Sequence, residues 1–364
     1  MKRWRPMLTA LVVLVVLAGG VVASCSPAAF QSETVIDTVR ILASRASEPR
    51  ARPGDTVTLD LLAYDGRAQK PAKMNLFWLP VPCINPKGDA YYACFSQFGA
   101  GAAGDAGTIG DAGTSLVGTL KPGVDLTPVL ASGASFTFKM PADAVIPRNG
   151  SSPYGLVILF NFACAGHIEL VPFDPNSQDP QQIPVGCFDS NHTQLGADDF
   201  VFGFTRVYAE DDPKEVNPVI TQVDLGGGNH LDVDGGTTTD ALAASLCGGD
   251  ADTCSHQTIG PVVPPSLPNN KQVWADYYAT TGTFKSTARL LYDPMATLSI
   301  PNGTDNEYIE PNVDTKAPAK NFVWIVVHDD QGGADWVTVP LQIEADGGQE
   351  DASSHDGGDA SSRD

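Results

Sequence analysis

The stretch TVTLDLLAYDG, residues 56–66, alternates apolar and polar side chains. Val57, Leu59, Leu61 and Ala63 fall on one side, and Thr56, Thr58 and Asp60 on the other. Successive side chains of a strand point to opposite faces, so this run reads as a half-buried strand, and its β-branched residues suit one. Pro53-Gly54-Asp55 ahead of it marks a turn. Similar short runs stand at residues 74–79, 135–139, 156–162 and 200–208, and again at 219–225, 273–280, 286–292, 322–327 and 336–343. The chain carries 36 glycines and 28 prolines, which disfavours long helices and supplies turns between the runs. No amphipathic helix pattern of useful length interrupts them. The sequence therefore predicts an all-β chain made of β-sandwiches.

The first 24 residues follow another logic. Lys2, Arg3 and Arg5 make a basic start, and residues 7–23 are uncharged and rich in Leu and Val. A basic region, an apolar run and small residues at its end are the parts of an export signal. Val22-Ala23-Ser24-Cys25 resembles the lipobox of bacterial lipoproteins. The resemblance implies that the Cys25 thiol is coupled to diacylglycerol, that residues 1–24 are removed as a signal peptide, and that the new amine takes a further acyl chain such as palmitate. It also implies that Ser26, in place of aspartate, directs the protein to the outer membrane. Each buried methylene contributes about 0.8 kcal/mol, so two or three chains hold a protein far more firmly than one.

Removal of the signal leaves enough of the 364 residues for about two domains. The formal charge of −21 opposes contact with a phosphate backbone, so no nucleic-acid partner is expected. Seven cysteines less Cys25 leave an even set: Cys83, Cys94, Cys164, Cys187, Cys247 and Cys254. In an exported chain an even set reads as disulfides. Sequence leaves their connectivity open, and local pairing of 83 with 94, 164 with 187 and 247 with 254 is the expectation. CGGDADTC, residues 247–254, lacks the second ligand pair that a structural zinc site requires.

Residues 25–34 read as a tether, 35–209 as a first domain, 210–217 as a charged Pro-containing linker and 218–344 as a second domain. Residues 239–270, rich in Cys, Pro and Ser, read as an irregular excursion. The last stretch, 345–364, is acidic and has no large apolar residue. It cannot bury enough surface to offset its ordering entropy, and disorder is expected there.

SEPRARPGDTVTLDLLAYDG resembles the opening of bacterial Ig-like domains, with Trp78 placed like the core tryptophan of the third strand. FVWIVVHDDQGGADWVTVPLQI resembles the last two strands of PKD-like repeats. The whole is similar to uncharacterised Gram-negative lipoproteins. The resemblance implies two Ig-like β-sandwich domains. The inter-sheet cysteine of antibody domains and the PKD centre are both missing, so it carries no active site.

Candidate chemistry is sparse. GAGAAG, residues 99–104, matches a dinucleotide fingerprint but is followed by more glycine and an aspartate rather than a helix, so it reads as a loop. Asp232, Asp234 and Asp240, and likewise Asp329, Asp330 and Asp335, offer only part of a calcium ligand set and read as turn residues. Neither a G-x-S-x-G elbow nor an H-E-x-x-H pair occurs, and His167, His192, His230, His256, His328 and His355 show no metal-type spacing. No metal, cofactor or catalytic residue is expected. The expected role is non-catalytic: a lipoprotein held to the membrane through Cys25, binding or scaffolding an envelope protein or polysaccharide. A carbohydrate-binding surface module would need an exposed row among Trp274, Tyr277, Tyr278, Trp324 and Trp336. A hydrolase would need a site with no motif in this sequence.

Overall fold

A computed structural model describes residues 33–95, 121–148, 152–172, 183–248, 253–264, 271–295, 304–313 and 320–344. The signal at 1–24, Cys25, the GAGAAG loop, His355 and the tail at 345–364 lie outside the described residues. What is described is all-β. The alternating strand Thr56–Asp65 pairs antiparallel with Val39–Ala46 on one side and Ser135–Lys139 on the other. Its apolar face, Val57, Leu59 and Leu61, is buried.

Opposite this sheet lies a six-stranded one, in the order Arg50–Ala51, Phe200–Ala209, Gly155–Cys164, Asn75–Trp78 and Ala131–Ser132, with Cys83–Ile84 also on the central strand. The sheets enclose a core of Trp78, Met140, Val157, Leu159 and Val207. Trp78 is fully buried and stacks on Phe136, with ring centroids 5.9 Å apart.

The central strand Gly155–Cys164 is buried along its whole length. Val157 and Leu159 enter the core just described, whereas Leu156, Ile158, Phe160 and Phe162 enter a second one. A third layer covers that second face. It consists of residues 85–95 and 121–130 and a ribbon of His167–Leu170 paired antiparallel with Val185–Phe188. The Cys83–Cys94 and Cys164–Cys187 bridges tie this layer to the six-stranded sheet, with all four cysteines buried. A layer this poor in regular strands gains much of its fixity from cross-links, which restrict the unfolded chain by about 2–4 kcal/mol each.

The second half is one 11-stranded sheet folded over its own core. One end carries Thr283–Phe284, Asn306–Ile309, His256–Val262 and Gln222–Gly226. The other carries Ala334–Glu344, Asn321–Asp329, Val273–Ala279 and Ala288–Tyr292, and Asn229–Asp234 with Thr237–Thr238 joins the two. Val223, Ile259 and Tyr308 from one end meet Tyr277, Ile325 and Val339 from the other inside a single cluster. This is a sandwich with a continuous hydrogen-bonded wall. The irregular excursion expected at 239–270 is corrected in part. Leu242–Ser245 runs parallel to Ala334–Glu344, and His256–Val262 pairs with both Gln222–Gly226 and Asn306–Ile309. The Cys247–Cys254 bridge joins the chain just after the first of these strands to the chain just before the second.

The halves touch through a small apolar cluster in which Ile36, Leu42 and Trp324 are buried with Tyr64 and Phe322 against them. Thr34 and Ile36, beside the start of the expected first domain, bond with the backbone of Ala279 in the second half. Residues 210–217 are tied down at their end. Asn217 donates to Ala46 O at 2.7 Å and accepts from Ala334 N at 3.1 Å, so one amide bridges both halves. Arg45 spans the same seam, bonding Asp335 at 2.7 Å and lying 4.4 Å over the Trp336 ring.

Candidate metal centre

In the ribbon of the third layer, His167 and Glu169 are two residues apart on one strand and share a face, while Ile168 and Leu170 turn into the second core. Val185–Phe188 lies alongside in the register His167 to Phe188 and Ile168 to Cys187. On the other edge, Gly123 N and Leu126 N donate to Leu170 O and Ile168 O. The strand is held from both sides.

The chain turns sharply after Phe188. The Asp189 carboxylate accepts from Asn191 N at 2.8 Å and Thr193 N at 2.9 Å. Those bonds, Thr193 first, hold its pKa below the ordinary value. Asp189 N also donates to Thr193 O, and Leu195 N to Cys187 O. Within this turn His192 takes a left-handed backbone with φ of 61°. Histidine tolerates that region better than branched residues do. Gly166 makes the close approach possible, since a Cβ there would overlap the Phe188 carbonyl.

These constraints bring His192 back over Glu169. His167 Nε2 lies 2.6 Å, and His192 Nδ1 2.5 Å, from the same oxygen, Glu169 Oε1. The two imidazoles meet edge to face at 5.4 Å. Glu169 is 4% exposed, His167 20% and His192 69%, so a buried carboxylate sits beneath a ring open to solvent. Burial penalises the Glu169 charge, but the hydrogen bonds from His192 and His167 outweigh it and hold the carboxyl below its ordinary range. Among the described residues, this is the group of three His, Cys, Asp or Glu side chains whose ligand atoms lie within 4.8 Å of one another. Two nitrogens and one anionic oxygen converging on a point form either a hydrogen-bonded clasp or a set of metal ligands.

The sequence expectation of no metal-ligating residues missed this arrangement. The signal present was H-x-E at 167–169, which places two donors on one face of a strand. The third donor comes from a turn more than twenty residues on, brought near by the Cys164–Cys187 bridge and the strand register.

The other candidates lie apart from this group. Asp329 Oδ1 accepts from Gln331 N and Gly333 N, and Asp335 accepts from Ile220 N, so both are committed to backbone donors. Asp232 accepts from Gln222 and pairs with His230 on the surface. His256 pairs with Glu307, and His328 with Asp276 beneath Trp274. Of the five aromatics that a carbohydrate site would need, Tyr277 and Trp324 are buried and Trp336 is covered by Arg45.

No family model matches the chain, and no curated protein matches it. Among solved structures it is similar to the tandem Ig repeats of Dlar, at 9% identity and a TM-score of 0.21, over 85% of this chain and 99% of that one. It is similar to the D00-D0 domain of Intimin at 8% identity and a TM-score of 0.19, over 84% and 98%. The N-terminal Ig1-2 module of the Drosophila receptor protein tyrosine phosphatase DLAR gives 11% identity and a TM-score of 0.20, over 84% and 99%.

Proposed function

We propose that this chain is a lipoprotein of the bacterial envelope, anchored in the outer membrane through acylated Cys25, with a non-catalytic binding or scaffolding role. Cysteine use carries the reading. Six of the seven cysteines are consumed in three local bridges, which belong to an oxidising compartment, and Cys25 is the remaining one. That cysteine follows a basic start and an apolar run in the pattern of a lipoprotein signal. Two sandwiches braced against each other present loops from a fixed frame, an arrangement suited to holding a partner protein or an envelope polysaccharide.

Phase partitioning in a temperature-sensitive detergent tests the anchor. The wild-type protein should enter the detergent phase, and Cys25→Ala should enter the aqueous phase or remain as uncleaved precursor. Wild-type protein found wholly in the aqueous phase of lysed cells would refute the lipid anchor.

A further inference from the structure

We propose that His167, Glu169 and His192 bind a divalent ion of the zinc class. The donors decide the class. Calcium and magnesium take mostly oxygen ligands, whereas two imidazoles with one carboxylate suit zinc and its first-row neighbours. Such ions accept three protein ligands and leave a further position for water or an incoming group. The exposed edge of His192 leaves that side open.

The site is built rather than gathered by chance. Glu169 and His167 stand on a strand hydrogen-bonded along both edges, and the Cys164–Cys187 bridge pins the ribbon beside them. The His192 turn is fixed by the Asp189 carboxylate. The donor atoms now lie 2.5 Å and 2.6 Å from the shared oxygen. Ligands on a tetrahedral ion with bonds of ~2.0 Å stand about 3.3 Å apart, so an ion requires the rings to swing outward by under about 1 Å. His192, on the exposed side, has room to do so. Each imidazole keeps one proton in the bound state. The proton now directed at Glu169 shifts to the other ring nitrogen, and the freed lone pair takes the metal.

The test uses the full mature protein in detergent, with zinc chloride as the probe, and the variant His192→Asn. Asparagine adopts the left-handed backbone as readily as histidine but removes the nitrogen ligand. Zinc should bind with one ion per chain in equilibrium dialysis and should raise the wild-type melting temperature. His192→Asn gives up the imidazole bond to Glu169, so it should melt slightly below the metal-free wild type, and it should bind zinc at least about 10–100-fold more weakly. Absence of zinc binding by the wild type, or wild-type affinity in His192→Asn, would overturn the proposal and leave the group as a hydrogen-bonded clasp.

Discussion

Lys271→Met should destabilise the protein by about 3–5 kcal/mol, the usual cost of breaking a buried ion pair from one side. Lys271 is 1% exposed, and its Nζ lies 2.9 Å from Asp329 and 2.7 Å from Glu215. It also donates to Val216 O at 3.0 Å. Burial works against the ammonium charge, but the hydrogen bonds to Glu215 and Asp329 outweigh it and hold its pKa above the ordinary value. One side chain thus ties the start of Val273–Ala279 to the turn after Asn321–Asp329 and to the segment joining the halves. Methionine fills similar space without the charge and leaves the buried Asp329 carboxyl without its cation. Asp329 would keep only its bonds from Gln331 N and Gly333 N. Urea denaturation measures the loss. Adding Asp329→Asn should cost less than the sum of the single changes, because the two residues form one unit. A Lys271→Met protein within about 1 kcal/mol of wild type would place the lysine among ordinary surface pairs.

Phe160→Ala should cost a comparable amount, about 3–5 kcal/mol, through a different mechanism. Phe160 is 1% exposed at the middle of Gly155–Cys164 and points into the second core. Its ring stacks on Phe95 at 5.3 Å and on Phe202 at 5.4 Å. Truncation removes apolar area from the core and opens a void between the central sheet and a layer with little regular strand to collapse into it. The control is Met295→Ala, at a side chain 87% exposed, which should stay within about 0.5 kcal/mol of wild type. Equal stability of the two variants would show that the third layer does not pack as a core.

How far the sequence could be read follows from what each element needs. Thr56–Asp65 was legible because one face is buried and the other wet, which writes the alternation into the chain. Gly155–Cys164 was legible as a strand, but not as one buried on both faces. A continuous apolar run does not say what covers its second side. The cover has few strands of its own, and its order comes from bridges whose partners sequence leaves open. His256–Val262 was hidden inside a stretch whose Cys, Pro and Ser content read as irregular, with Gly260 and Pro261 within the strand itself. In the fold Gly260 is needed because a Cβ would meet the Asp305 side chain.

The His167–Glu169–His192 group was half legible. Two donors at strand spacing are visible in the sequence, but joining them to His192 needs the ribbon register and the disulfide. The aromatic row that a carbohydrate site would need is not assembled from these residues: alternation places Tyr277 in the core, and the seam between the halves takes Trp324.

Mass spectrometry of the N-terminal peptide of the mature protein tests the lipid anchor at Cys25 most directly. A peptide that begins at Cys25 and carries the mass of diacylglycerol, with or without a further acyl chain, is the predicted result. A mature chain that retains residues 1–24, or that begins elsewhere with Cys25 unmodified or absent, would contradict the anchored reading.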